Sequence, residues 1–355
     1  MAFISITRLH RNYTMTSPKH LILTALAAFT LQAALGVETQ QQQTHIVVIP
    51  GQNGLGGHNI RTVLPEFLKE RIHRAETPKT FPDLGQNRCI SYLEKQMKPL
   101  LDDSTVKNVI LHGSSQGTAT ALNYTANNHD KIGALILESV LLTGNSAIAH
   151  TVAPDSSSLF VHYALPYLAK IIFPFYAPAG KQAIITCDNL PKDLPIIILH
   201  ATEDPQLSFK DAKALYAKLK TTNMNNNVYL LSVLAYNHVE LLNKGDKLIT
   251  IINAILEQHN LLPTPKNQTD AIDLTPYQPK PDQRWLDHFN ALKNKEHIMY
   301  YIDWCVKGAF LGFIFYILHK TGTLNSISTT LSSHIHILHR TGPLNSISST
   351  LSSHM

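Results

Sequence analysis

Ser115 stands at the centre of Gly113-Ser114-Ser115-Gln116-Gly117, a G-x-S-x-G pattern that directly follows a short apolar run and precedes a helix-forming segment. A serine hydroxyl is a weak nucleophile at neutral pH. It needs a base within hydrogen-bond reach and a third group that holds the base in the right tautomer. The spacing has a steric reason. A serine of this kind sits at a strained strand-to-helix turn, and glycines two residues to either side leave room for the chain to double back. Any side chain at 113 or 117 would crowd the turn. At an average protein usage of about 7% for Gly and Ser, the bare pattern arises by chance in about one chain of this length in ten. The position between a strand and a helix therefore carries more weight than the pattern.

The elements that must present this serine are readable in outline. From residue 45 onward, short β-rich runs alternate with helical periodicity, the signature of βαβ units and a largely parallel sheet. Strands are predicted over 45–49, near Thr80, and over 106–112, 132–137, 194–199 and 228–233. Helices are predicted over 60–73, 87–101, from the serine turn to Tyr124, and over 208–220 and 239–258. The run 106–112 is apolar without alternation, as a strand covered on both faces should be. Segment 144–188 is rich in Pro and aromatic residues. It reads either as an inserted apolar cap that would roof a pocket at the strand ends, or as ordinary core packing.

At this point the chain resembles the α/β-hydrolase superfamily, because the remaining chemical groups stand in that family's order of Ser, acid, His. Pro195-Ile196-Ile197-Ile198-Leu199-His200-Ala201-Thr202-Glu203-Asp204-Pro205 resembles the family's penultimate-strand acid loop, with Asp204 as the acid and Glu203 as the adjacent fallback. The competing reading is that Asp204-Pro205 merely caps the helix starting at Ser208. Tyr236-Asn237-His238-Val239-Glu240-Leu241-Leu242 resembles the G-H-x-x-x-L segment, which makes His238 the base, with Asn237 in the glycine place. Asn tolerates left-handed backbone angles better than most residues. The resemblance also implies two backbone donors for an oxyanion hole. One is the amide of Gln116, and the other is that of Gln52 in Pro50-Gly51-Gln52-Asn53-Gly54, which resembles the family's H-G-x-x-G loop with Pro50 in the histidine place. Read instead as a phosphate cradle, this glycine-rich loop lacks the G-K-[ST] of a P-loop and does not fit G-x-G-x-x-G. Asp83-Leu84-Gly85 matches a structural D-x-G segment of the family.

The resemblance covers roughly residues 45–258 and implies an α/β-hydrolase fold, a mostly parallel sheet flanked by helices, trimmed of the two strands that many members place first. It further implies a serine hydrolase that cleaves a carboxylic ester or related acyl bond through an acyl-enzyme. The apolar cap suggests an acyl chain or other lipid-like group. Three rivals stay open: a peptidase similar to the prolyl oligopeptidase branch, an acyltransferase, and a non-catalytic relative that binds a ligand on the same scaffold.

Composition narrows the remaining classes. The 355 residues carry a net charge of +5 with Lys and Arg scattered, which argues against a nucleic-acid surface. Three cysteines, Cys89, Cys187 and Cys305, form neither a disulfide framework nor a zinc pair. No H-E-x-x-H is present, and His334, His336 and His339 lie in a repeated tail, so neither a metal nor a cofactor is expected. Residues 1–36 read as a signal peptide, with Arg8, Arg11 and Lys19 before an apolar run that ends in small residues, or as a buried helix. Export to a secreted, periplasmic or membrane-associated location follows from the first reading and a cytoplasmic location from the second. Residues 37–262 form the expected hydrolase domain and 263–297 a Pro-rich linker and helix. Segment 298–318 is long and apolar but interrupted by Asp303 and Lys307. It reads as a membrane anchor, a helix docked on the domain, or one lying in an interface. Residues 319–355 are a Ser/Thr-rich tail in which 317–334 recurs as 337–354.

Overall fold

A computed structural model describes residues 43–52, 66–78, 83–152, 163–171, 174–178, 180, 182–235, 238–239, 241–244, 246–263 and 272–320. The expected signal peptide, the duplicated tail beyond 320 and the strand proposed near Thr80 lie outside the described residues.

Six strands form one sheet: β1 Gln43–Ile49, β2 Ile72–Arg74, β3 Val106–Ser114, β4 Ile132–Glu138, β5 Ile196–Ala201 and β6 Val228–Val233. Their order is β2-β1-β3-β4-β5-β6, and every neighbouring pair is parallel. Parallel neighbours require crossovers, and these run as helices on both faces. The strands between the edges accordingly carry buried apolar runs, such as Val109–Leu111 in β3 and Ile196–Leu199 in β5. Along β1, Val47 and Ile49 enter one core together with Leu93, Leu122 and Leu215, while Ile46 and Val48 enter the other with Ile252 and Ile255.

The helices in chain order are α1 Glu66–Lys69, α2 Asn87–Asp102, α3 Gln116–Thr125, α4 Gly144–Val152, α5 Leu165–Leu168, α6 Ala183–Thr186, α7 Phe209–Thr221, α8 Asp246–Gln258 and α9 Gln283–Lys320. Two expectations need correction. The helix predicted over 60–73 is replaced at its end by β2, an edge strand of three residues that is too short to show a strand period. The helix predicted over 239–258 begins only at Asp246, after a 3-10 turn at Leu241–Lys244. The Leu241 N–H donates to the Glu138 carboxylate at 2.6 Å, so this amide is engaged by a side chain at the sheet.

The body also continues past residue 262. Phe289, Leu292 and Met299 on α9 are buried, and Asn145 Nδ2 on α4 lies 2.8 and 2.7 Å from the two carboxylate oxygens of buried Glu296. Burial pushes the Glu296 carboxyl up to about 7. The stretch of α9 from Phe289 to Met299 is thus packed on the body. Among the described residues no helix is long and apolar enough to cross a membrane.

Candidate active site

The chain leaves β3 at Ser114 and enters α3 at Gln116, so Ser115 alone makes the turn, with φ 52° and ψ −119°. A non-glycine residue at positive φ is strained, and the surroundings must hold it there. They do so by close approach. A Cβ on Gly117 would lie 2.0 Å from the Ile49 carbonyl oxygen at the end of β1, and one on Gly113 would lie 2.5 Å from the Gly117 oxygen. The crowding expected at both glycines is present. Gly85, at φ 84°, lets the 83–86 turn meet α3, where a Cβ would lie 2.6 Å from Ala119 Cβ. Asp83 of that turn accepts from the backbone N–H groups of Gln86, Arg88 and Cys89 at the start of α2.

Asp204 follows β5 and His238 follows β6, 34 residues later in the chain. His238 Nδ1 lies 3.0 Å from each oxygen of Asp204, and His238 Nε2 lies 2.7 Å from Ser115 Oγ. Three side chains from three separate loops therefore meet at the carboxyl ends of β3, β5 and β6. The strand order, the serine turn between β3 and α3, and an acid and a histidine after the last two strands together decide the architecture. The chain has the α/β-hydrolase fold.

No protein-family model matches the sequence, and no curated protein matches it. Among solved structures the chain is similar to an esterase of Pyrococcus furiosus at 14% identity and a TM-score of 0.45, covering 61% of this chain and 81% of that one. An α/β hydrolase from a lagoon-sediment metagenome of Mar Chica, Morocco, gives 14% identity and 0.42, covering 62% and 94%. A serine hydrolase from Cycloclasticus zankles gives 14% and 0.38, covering 63% and 93%. Likenesses this distant do not transfer a reaction, and the fold rests on the topology described above.

Within the α/β-hydrolase fold the two readings of Asp204 resolve by geometry. Ser208, not Asp204, caps α7, accepting from the Lys210 N–H. Asp204 Oδ1 accepts from the Gln206 and Leu207 amides at 2.8 and 2.9 Å. Burial pushes the Asp204 carboxyl up, but His238 and these two amides outweigh it and hold it below the usual carboxylate range. It is therefore ionised at neutral pH and favours a proton on Nδ1 of the histidine facing it. Glu203, the fallback, is exposed.

Several supporting residues were not legible beforehand. His200 is fully buried in β5, where its Nδ1 accepts from the Val140 N–H and its Nε2 donates to the Leu207 carbonyl. Burial lowers its pKa, so it is a neutral strut under the acid loop. Ser139 Oγ donates to the His238 carbonyl and fixes the histidine loop against β4. His150, on α4, lies with Nε2 3.2 Å from the Asp204 carbonyl oxygen.

Glu138, the last residue of β4, joins the two halves of the site. Its Oε2 accepts from Ser114 Oγ at 2.8 Å and its Oε1 from the Leu241 N–H at 2.6 Å, while His112 Nε2 lies 3.4 Å from Oε2. Burial pushes its carboxyl up, but His112, Ser114 and the Leu241 amide outweigh that and hold it low. Its carboxylate thus ties Ser114, next to Ser115, to Leu241, three residues after His238. Glu138→Gln keeps one acceptor and turns an N–H2 toward a donor, releasing one of the two ties. We expect kcat to fall by about 10- to 100-fold with KM changed by less than about twofold, because reacting groups are misplaced while the pocket is kept. A Glu138→Gln enzyme with unchanged kcat would show that the bridge has no part in alignment.

Gln52, just beyond β1, and Gln116, at the start of α3, border a cavity of about 360 Å³ together with Ser115 and His238. The Gln116 side chain is turned inward, donating to Cys89 Sγ at 3.0 Å. Its backbone N–H belongs to the first turn of α3, where helix amides lack helical acceptors. The cavity wall is otherwise mostly apolar, with Leu84, Leu141 and Leu207 from the body, Ile148 from α4, and Leu165 and Leu168 from α5. Part of segment 144–188 thus borders the cavity, while 153–162 lie outside the described residues.

Proposed function

We propose that the chain is a serine hydrolase acting on carboxylic esters with an apolar acyl group. The observation that carries this reading is the continuous path of hydrogen bonds from Ser115 Oγ through His238 to the ionised Asp204. Ser115 Oγ attacks the ester carbonyl as His238 Nε2 takes its proton, and Asp204 stabilises the resulting imidazolium. The amides of Gln116 and Gln52 donate to the oxyanion. Collapse expels the alcohol, which receives the proton from His238 and leaves an acyl group on Ser115. Water then attacks with His238 again as base, and the acid departs, restoring the hydroxyl. The acyl group occupies the apolar wall under α4 and α5, which favours esters over the aminoacyl substrates of a peptidase.

A panel of esters graded by acyl length, run beside aminoacyl amides, tests this. Each methylene that enters the cavity contributes about 0.8 kcal/mol, so kcat/KM should rise roughly fourfold per added CH2 until the cavity is filled. Faster turnover of the amides than of every ester would overturn the ester assignment.

A further inference from the structure

Helix α9 changes character along its length. Up to Met299 it buries Phe289, Leu292 and Met299 against the body, whereas from Tyr300 onward most of its large apolar side chains are exposed. Trp304 is 70% exposed, Phe310 62% and Phe313 59%. At 3.6 residues per turn, Tyr300, Trp304 and Leu311 fall on one side of the helix and Val306, Phe313 and Ile317 on the opposite side, and all are exposed. A contiguous run of exposed large apolar side chains marks a contact with a protein or a membrane. A groove on a partner protein covers one face of a helix and leaves the other in water. Apolar side chains around the whole circumference fit a lipid phase instead.

The charge pattern gives the depth. The charged residues between 300 and 318 are Asp303 and Lys307, and they pair with each other across one helical turn. They stand level with Tyr300, Tyr301 and Trp304, the residue types that collect at the headgroup boundary. Beyond them, residues 308–318 carry no charge. These eleven residues rise about 16 Å, close to half of the roughly 30 Å hydrocarbon core. That reach enters one leaflet and does not pass through both, in keeping with the absence of a helix able to cross among the described residues. We propose that the C-terminal half of α9 is a lipid-contacting surface that seats the protein on one face of a bilayer. This does not rest on the hydrolase reading.

The chain contains two tryptophans, which provides an internal control. Trp285 packs edge-on to Tyr216 on the body, with ring centroids 6.3 Å apart, while Trp304 lies in the exposed stretch. The full chain is mixed with phosphatidylcholine vesicles whose acyl chains are brominated, then with unbrominated ones. Bromine should quench about half of the tryptophan emission, and Trp304→Phe should abolish the quenching while the protein still sediments with vesicles. Phe310→Ser/Phe313→Ser should lower the vesicle-bound fraction at least tenfold while leaving ester hydrolysis in solution intact. Failure to sediment with vesicles, or equal quenching in Trp304→Phe, would overturn the proposal. So would a dimer formed without vesicles that Phe310→Ser/Phe313→Ser dissociates, since a second copy would then be the occupant.

Discussion

Ser115→Ala and His238→Ala are each expected to lower kcat by about 10⁶-fold, and the double variant should lose little more than either single one. The non-additivity follows from the geometry. His238 Nε2 lies 2.7 Å from Ser115 Oγ, and neither group performs its step without the other. A serine without its base is an ordinary alcohol, and the base without the serine has nothing to activate. The measurement is steady-state hydrolysis of the best ester from the acyl-length panel, with folding checked by near-UV circular dichroism. Losses that multiplied would mean that the two residues act independently, and the proposed proton path would fail. Cα geometry at 115 is strained in the native chain, so Ser115→Ala should keep the fold while leaving that strain in place.

Asp204→Asn is expected to lower kcat by about 10⁴-fold with a much smaller effect on KM. Asp204 Oδ1 already accepts from the Gln206 and Leu207 amides, which fixes the orientation of an asparagine at this position. Its oxygen would stay with those two donors and its N–H2 would face His238 Nδ1. The imidazole must then accept at Nδ1 and carry its proton on Nε2, toward Ser115, where it cannot take the hydroxyl proton. Glu203→Gln should leave the rate unchanged, since Glu203 is exposed and the bonds to His238 come from Asp204. A loss of less than about tenfold in Asp204→Asn would remove Asp204 from the chemistry.

How much of this was legible follows from where each residue's constraints lie. The serine turn was readable because its requirements are local. An apolar strand, two glycines and a helix start all fall within about twenty residues, and a Cβ on either glycine would lie 2.0 to 2.5 Å from a backbone oxygen. Asp204 and His238 were found through their order along the chain, which the resemblance supplied and no periodicity could. Residues whose role depends on a neighbouring strand stayed hidden. Glu138 ends an apolar run and looks like a surface carboxylate at a strand tip, yet it is buried, accepting from residues 24 behind and 103 ahead of it. The edge strand β2 was missed because three residues cannot display a period of two. The packed half of α9 fell within 263–297, read as a Pro-rich linker and helix outside the hydrolase domain because prolines precede it. Its apolar stripe, Trp285, Phe289, Leu292 and Met299, does keep helical spacing, and α7 supplies the surface that it needs, with Trp285 meeting Tyr216.

Reaction with a fluorophosphonate tests the central claim most directly, since it needs the activated hydroxyl but no knowledge of the natural ester. The wild-type chain should take up one equivalent, with peptide mapping placing the adduct on Ser115, and Ser115→Ala should take up none. Equal uptake by both proteins, or an adduct mapped to another residue, would contradict the account.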